Sequence, residues 1–521
     1  MVCHNLLENF KGQFMKLANL FRNSLRLIIL SLFTLQLCFA QQGVKRGEVR
    51  SPQSAQDILP KDSGAGKQFA AWLDAFNSGR RDALQQFIAA NFEPPPNAAL
   101  PVERMTNRQF ELYKNTGGFL VRKVTADSSA PEKISVVLES KRTGFFMTIG
   151  MATQKNSPEK ILGMGFRGSE APPELLPKAK LTDEQLRRNI DNLIGDLIKA
   201  NQFSGVILVA RNGKPVYQRA SGLANKVWNI PNQLDTKFNV ASISKMFTAV
   251  AVAQLAEQGK LSFDDPVGKW LPEYPNKDIA QKITVHHLLS HTSGLKETNT
   301  TDSSFRRGFR TIKDYLPTAP GDTLKFEPGT KLEYSNYGYL LLGAIIEKVS
   351  GEDFYTYIRE HICKPAGMMN TDSFELDTEP ANLATGYMDA PNNTRRSNAF
   401  MLPVKGLPSG LGYSTVEDLV KFNLALTGGK LLNKKSLETV WLGRMNYNEP
   451  DSQYGYGFIV KRYNGTRVIG HGGGWVGITN KFDMYPDLGY TVVILNNIDS
   501  DPNSIAFKLR EWLTQGQIAN Q

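Results

Sequence analysis

The run from Met246 to Ala256 (MFTAVAVAQLA) constrains this chain most. It is helical in character, apolar on nearly every face, and closed by Gly259. A surface helix shows an apolar stripe, whereas a helix apolar all round is a buried one. The chain therefore needs a core thick enough to surround it. A length of 521 residues, 41% of them apolar and 21% charged, allows that and suggests two to four domains. Ser242-Ile243-Ser244-Lys245 stands directly ahead of the run. A lysine at the head of a buried helix is costly unless it has a partner. Ser242 is expected in the first helical turn, where unpaired N–H groups and the helix dipole favour developing negative charge. Lys245, at i+3, shares its face. Held beside the hydroxyl, the amine can take the serine proton if neutral or stabilise the alkoxide if charged. The spacing alone also fits a serine cap followed by an incidental lysine, and Ser157-Pro158-Glu159-Lys160 repeats it in a loop.

Two further constellations carry chemistry. Tyr334-Ser335-Asn336 precedes a second apolar helix (Tyr337-Gly338-Tyr339-Leu340-Leu341-Leu342-Gly343). A tyrosine there can act as general acid or base if nearby cations lower its pKa, and the Asn336 amide can hold a substrate carbonyl. The bland alternative is a turn, since Tyr113-Lys114-Asn115 shows the same triplet. His471-Gly472-Gly473-Gly474 follows the strand-like Arg467–Gly470. Glycines let backbone approach a ligand closely, and an edge strand there can pair with a peptide-like substrate while one N–H completes an oxyanion hole with the N–H of Ser242. The same letters occur in the HGGG loop of lipase-type hydrolases, but that loop belongs with a G-x-S-x-G elbow, which the chain lacks. His287 and His291 have a zinc-like i, i+4 spacing without the glutamate of H-E-x-x-H, so a structural loop is expected and no metal is assigned.

The remaining chain organises around these residues. Lys11, Lys16, Arg22 and Arg26 precede an apolar run, Leu27–Ala40, that ends in Cys38-Phe39-Ala40. Residues 1–40 therefore read as a signal peptide, too short for a span of roughly 20 residues, with an uncleaved anchor as its rival. Export to the periplasm or outside the cell follows, with no stable membrane span after cleavage. Of three cysteines, only Cys363 would remain, as a small core hydrophobe without a disulfide. Removing residues 1–40, with four basic side chains and Glu8, takes the formal charge from +11 to about +8. With no dense Lys/Arg block, nucleic acid is not expected as a partner. Residues 41–64 read as a flexible spacer. Over 65–168, two helical patterns (Phe69, Trp72, Leu73 and Phe76; then Leu84, Phe87 and Ile88) reach a break at Pro94-Pro95-Pro96 and give way to four strand-like runs, an α+β domain. A linker, 169–181, leads to a third segment, 182–515. It opens with a capping box at Thr182 and Gln185, then a hairpin around Asn212-Gly213, and ends in late strands.

In order, Ser-x-x-Lys, Tyr-x-Asn and His-x-Gly resemble the serine β-lactamase and penicillin-binding-protein superfamily, within it the class C β-lactamase-related group. Gly259–Val267, Ile283–Leu295 and Gly412–Leu419 extend the likeness over about residues 182–515. Residues 65–168 resemble the NTF2-like fold on Ala71–Gly79, with no catalytic residue to transfer and a docking module or non-catalytic pocket as the reading. The resemblance implies an α/β (α+β) β-lactamase/transpeptidase-like fold: a mixed, mainly antiparallel sheet with flanking helices and a helical subdomain. It implies an acyl-enzyme mechanism without cofactor, on a small-molecule or peptide substrate, cell-wall peptide among them. Ser242 would be the nucleophile, Lys245 would support its deprotonation and Tyr334 would relay protons. Asn336, His471, Gly473 and Gly474 would bind substrate, with the Gly474 N–H as second oxyanion donor. True class C β-lactamases usually carry lysine where this chain has His471. Loss of that permanent cation weakens the field that binds a β-lactam carboxylate. An ester, amide or D-amino-acid peptide bond is thus expected over a β-lactam. A β-lactamase, a non-catalytic binder of cell-wall peptide and a ligand-sensing role for 65–168 are the alternatives.

Overall fold

The computed structural model describes residues 59–94, 100–126, 130–176, 179–297, 308–318, 323–390, 394–447 and 451–515. The signal peptide expected at 1–40 and most of the spacer expected at 41–64 lie outside these residues, as do Pro95 and Pro96.

The first segment packs helices α1 (Gly64–Asn77), α2 (Arg81–Asn91) and α3 (Val102–Thr116) on an antiparallel sheet of β1 (Phe119–Ala126), β2 (Lys133–Ser140), β3 (Phe146–Thr153) and β4 (Ile161–Gly168) in sequential order. Ser63 caps α1 by accepting the Gly66 N–H at 3.0 Å. The stripe Phe69, Trp72, Leu73 and Phe76 fills the core with Leu84 and Ile88. Leu59 is buried in the same core, so the compact segment starts before residue 65. Helix α3 was not foreseen: its most deeply buried residues, Thr106, Gln109 and Thr116, are polar and interrupt the apolar side chains Val102, Met105, Phe110, Leu112 and Tyr113, which pack partly buried on the core. Phe145 stacks near Phe507, with ring centroids 5.0 Å apart, and Lys114 pairs with Asp389 at 3.1 Å, tying this segment to the next.

The second segment is built on one antiparallel sheet made from both ends of its sequence. Helix α4 (Asp183–Lys199) starts in the Thr182–Gln185 capping box. Strands β5 (Gly205–Arg211) and β6 (Lys214–Ser221) form a hairpin whose Asn212 and Gly213 both take positive φ, the geometry of a type I′ turn. The chain then passes through β7 (Phe238–Ala241), α5 (Ser244–Glu257), α6 (Val285–Leu289), α7 (Asn336–Ser350), β8 (Gly412–Ser414) and α8 (Val416–Thr427). It returns as β9 (Met445–Asn446), β10 (Ser452–Tyr454), β11 (Ile459–Tyr463), β12 (Thr466–Trp475), β13 (Ile478–Tyr485) and β14 (Tyr490–Asn496), closed by α9 (Pro502–Thr514). The order β9-β10-β11-β12-β13-β14-β5-β6 is antiparallel at every pair. Helices α4 and α9 cover one face through Leu186, Ile190, Ile194, Ile505 and Leu509. The other face meets the helical part, with α5 at its centre. From Ser244 to Leu255 only Gln254 is less than buried. Truncating one such side chain, as in Leu255→Ala, costs about 2–5 kcal/mol.

Strand β12 is longer than the sequence suggested. It continues through His471 and the glycines to Trp475. On one side β11 pairs with it only from Thr466 to Gly470; on the other β13 pairs from Ile469 to Trp475. Among the described residues, 471–474 therefore have no strand partner on that edge, which faces the head of α5.

Candidate active site

Ser242 lies in the turn between β7 and α5, two residues before the first helical residue rather than within the first turn. The chain arrives from β7 with Ala241 at φ +46°, a strained conformation for a residue with a Cβ. Ala241 donates its N–H to Asn239 Oδ1 at 3.0 Å, and its carbonyl accepts Leu411 N–H at 3.2 Å. Gly410 passes so close that a Cβ there would sit 3.0 Å from the Ala241 carbonyl and 3.3 Å from the Ser242 nitrogen. The bend holds Ser242 in front of α5, with its N–H making no hydrogen bond among the described residues.

Lys245 is completely buried. Its Nζ donates to Asn336 Oδ1 at 2.7 Å and to the Ser409 carbonyl, and stands 3.3 Å from Ser242 Oγ. It also lies over the Tyr334 ring, 4.7 Å from its centroid. Burial pulls its pKa down to about 7, with Glu297 acting the other way. Two of its three neighbours can only accept. A neutral amine must give its two N–H bonds to Asn336 and Ser409, which turns its lone pair toward the Ser242 hydroxyl.

Tyr334 precedes Ser335, which caps α7 by accepting the Gly338 N–H. Tyr334 and Ser242 line the same polar cavity. Burial raises the Tyr334 pKa well above the ordinary value, and the neighbouring Ser242 hydroxyl opposes this only in part. This corrects the expectation that cations lower it: Lys245 meets the face of the ring, and burial dominates. The phenol is therefore a proton donor at rest. Asn336 begins α7. Its N–H bonds Glu297 Oε2 at 2.8 Å, and its side-chain oxygen is taken by Lys245, which leaves the amide NH₂ for a substrate carbonyl.

His471 is 3% exposed, and burial followed by the charge of Lys245 lowers its pKa to about 3, so it is neutral. Its Nδ1–H donates to the Gly472 carbonyl at 2.5 Å, which leaves Nε2 as the acceptor of the Tyr454 hydroxyl at 3.0 Å. Tyr454 in turn accepts His291 Nε2–H at 3.1 Å, and His291 Nδ1 accepts the Ser335 N–H at 3.1 Å. The chain from Ser335 to Gly472 has one consistent direction, which fixes both tautomers. The His291 ring also packs 4.1 Å from that of Tyr334. His291 is thus a buried support for the tyrosine loop, and His287 Nδ1 accepts the Thr284 N–H at 3.2 Å. Nothing local marks Tyr454, and the i, i+4 spacing of His291 from His287 points to a metal rather than to this support. Cys363 is a buried thiol pushed up to about 12.

The glycines differ in use. Trp475 and Ile478 flank a two-residue turn and form a hydrogen-bonded pair, so alternation along the ladder aims the N–H and C=O of Gly474 and Gly472 at the free edge. A Cβ on Gly474 would meet nothing within 4 Å; one on Gly473 would lie 2.2 Å from the Val240 carbonyl. Gly474 faces the site, whereas Gly473 lets β12 pack against β7 and lines neither cavity there. Two cavities flank Ser242. One, about 200 Å³, is mainly apolar, with Tyr315, Leu407, Leu411 and Trp475 beside Asn336. The other, about 310 Å³, is polar, with Tyr334, Tyr447, His471, Lys481 and Asn503.

The family model described as Beta-lactamase matches residues 190–512, more than half of the sequence. The chain belongs to the beta-lactamase family. Among curated members, Penicillin-binding protein 4* of Bacillus subtilis is 31% identical over 333 residues, 60% of this chain and 72% of that protein. Among solved structures, a penicillin binding protein from Bacillus halodurans matches with 33% identity and TM-score 0.55, covering 61% of this chain and 98% of that one. The D-amino acid amidase from Ochrobactrum anthropi SV3, complexed with D-phenylalanine, matches with 26% identity and TM-score 0.56, covering 64% of this chain and 98% of that one. This beta-lactamase-family protein is a serine hydrolase with the β-lactamase/transpeptidase-like fold. No described helix is long and apolar enough to cross a membrane.

Proposed function

We propose that the protein is an exported hydrolase that cleaves an ester, amide or D-amino-acid peptide bond through an acyl-enzyme on Ser242. The observation that carries this reading is the lone pair of Lys245, aimed at Ser242 by the two acceptors that occupy its protons. In the acylation step Ser242 Oγ bonds to the substrate carbonyl carbon as its proton leaves for Lys245. The oxyanion forms against the N–H groups of Ser242 and Gly474, and the Asn336 NH₂ holds an acyl-side carbonyl. Collapse breaks the bond to the leaving group, which takes a proton from the Tyr334 hydroxyl, and the proton held by Lys245 neutralises the tyrosinate. Water then attacks the ester and restores the serine.

A neutral His471 supplies no charge for a β-lactam carboxylate, which favours peptides, amides or esters over dedicated β-lactam hydrolysis. Cell-wall peptide fits as substrate because an extended backbone can pair with the free edge of β12. Export rests on the charged and apolar pattern of residues 1–40, and a docking role is proposed for 65–168. Labelling with a fluorophosphonate or a fluorescent penicillin tests the reading: wild type takes the label and Ser242→Ala does not. A panel of p-nitrophenyl esters, D-Ala-D-Ala peptides and nitrocefin then ranks the bonds. Nitrocefin turned over faster than every ester and peptide would overturn the preference.

A further inference from the structure

The helices of the first segment do not fill the space over its sheet. Between α3 and the edge strand β4 lies a cavity of about 530 Å³. Met105 and Leu112 of α3, Met147 of β3, and Met164 and Phe166 of β4 line it, and each is only partly buried although it packs on the core. Gly163 of β4 lines it without a side chain, and a Cβ there would meet nothing within 4 Å. A volume of this size suits a small molecule, and the unbranched methionines can adapt to its outline.

Two polar side chains give the cavity its chemistry. Gln109 is 7% exposed, and its Oε1 accepts the Trp72 indole N–H at 2.8 Å. An indole can only donate, so this bond fixes which end of the amide holds the oxygen. The Gln109 NH₂ then makes no hydrogen bond among the described residues, although the side chain lines the cavity. A buried donor without an acceptor is costly, so an occupant that supplies one gains by it. Arg108, the preceding residue, also lines the cavity; it is exposed and makes no ion pair among the described residues. No described lining residue is acidic. The cavity thus joins an apolar wall to two donors, one of them a cation.

We propose that this cavity is a binding site for an apolar monocarboxylate of the fatty-acid type. Its carboxylate takes the Gln109 NH₂ and the Arg108 guanidinium, and its chain lies on the methionines and Phe166. The site shares no lining residue with the two cavities at Ser242, so it stands apart from the acyl-enzyme reading.

The test is calorimetric titration of the full chain with decanoate and with decanol, which share a chain and differ in the head group. Wild type should bind decanoate ~10-fold or more tightly than decanol, the worth of a charge-assisted hydrogen bond. Gln109→Glu can still accept the Trp72 N–H but turns a negative charge on the carboxylate, so it should lose that preference. Arg108→Gln, at an exposed position, should narrow it. An unchanged preference in folded Gln109→Glu would place decanoate elsewhere and overturn the assignment. So would an absence of binding by wild type at ~1 mM, the weak end of specific affinity. If a thermal melt shows Gln109→Glu unfolded, Arg108→Gln decides: a preference equal to wild type overturns the site and a narrowed one supports it.

Discussion

Lys245 Nζ lies 2.7 Å from Asn336 Oδ1, a bond between the heads of the two most deeply buried helices of the site. It orients two groups at once, directing the lysine lone pair toward Ser242 and the asparagine NH₂ toward substrate. Replacing Asn336 by Asp would put a negative charge in its place and hold Lys245 protonated. Asn336→Asp should therefore lower kcat and move the rise of the pH–rate profile upward, and an unmoved profile would count against the base role of Lys245.

The pH dependence of wild type follows from the same lysine. Its pKa near 7 means that the free base accumulates as pH rises through neutrality, so kcat/KM should rise to a plateau with its midpoint near 7. Lys245→Arg, permanently charged, should cost ~10²–10⁴-fold. Stability has the same sign. The folded lysine loses its proton near 7 and the unfolded one near its ordinary 10.5. Between those values the unfolded state binds more protons, so denaturant melts should show stability increasing with pH.

Adjacent glycines of β12 should respond oppositely to one methyl group. Gly473→Ala drives a Cβ into the Val240 carbonyl and should destabilise by about 1–3 kcal/mol. Gly474→Ala enters open space and should melt within about 0.5 kcal/mol of wild type, its effect confined to kcat. Thermal unfolding of the two proteins decides this.

Tyr454→Phe leaves His471 Nε2 and the His291 Nε2–H without the hydroxyl they share. A buried group left unsatisfied costs about 1–3 kcal/mol, so the variant should unfold at lower urea. Its kcat should fall with it, because His291 supports the Tyr334 loop through Ser335. Unchanged stability would mean that water replaces the hydroxyl.

What could be read in advance depended on how far apart the cooperating residues lie. Ser242 and Lys245 share one helix head, and the three triplets in order were enough to indicate the fold. The hairpin at Asn212-Gly213 is written in two letters. Tyr454 and Gly410 reach the site through contacts between distant segments, and nothing local distinguishes them; His291 stands out only by a zinc-like spacing that does not reveal its support of the Tyr334 loop. Tyr334 was placed in the right region but its proton affinity was misjudged, because burial depends on everything packed around it. Helix α3 escaped because polar Thr106, Gln109 and Thr116 take its deepest positions and interrupt its apolar stripe, and β12 was ended too early because glycines weaken the signature of a strand.

The free edge at Gly472–Gly474 has a stereochemical consequence. A substrate chain held there is gripped by its backbone, with its reacting carbonyl fixed between the N–H groups of Ser242 and Gly474. The residue that carries that carbonyl then has one direction for its side chain and the opposite for its hydrogen. Mirror-image residues cannot both place the side chain against Tyr315, Leu407 and Trp475. On the proposed reading, discrimination between left- and right-handed amino acids would arise where the protein itself contributes no side chain.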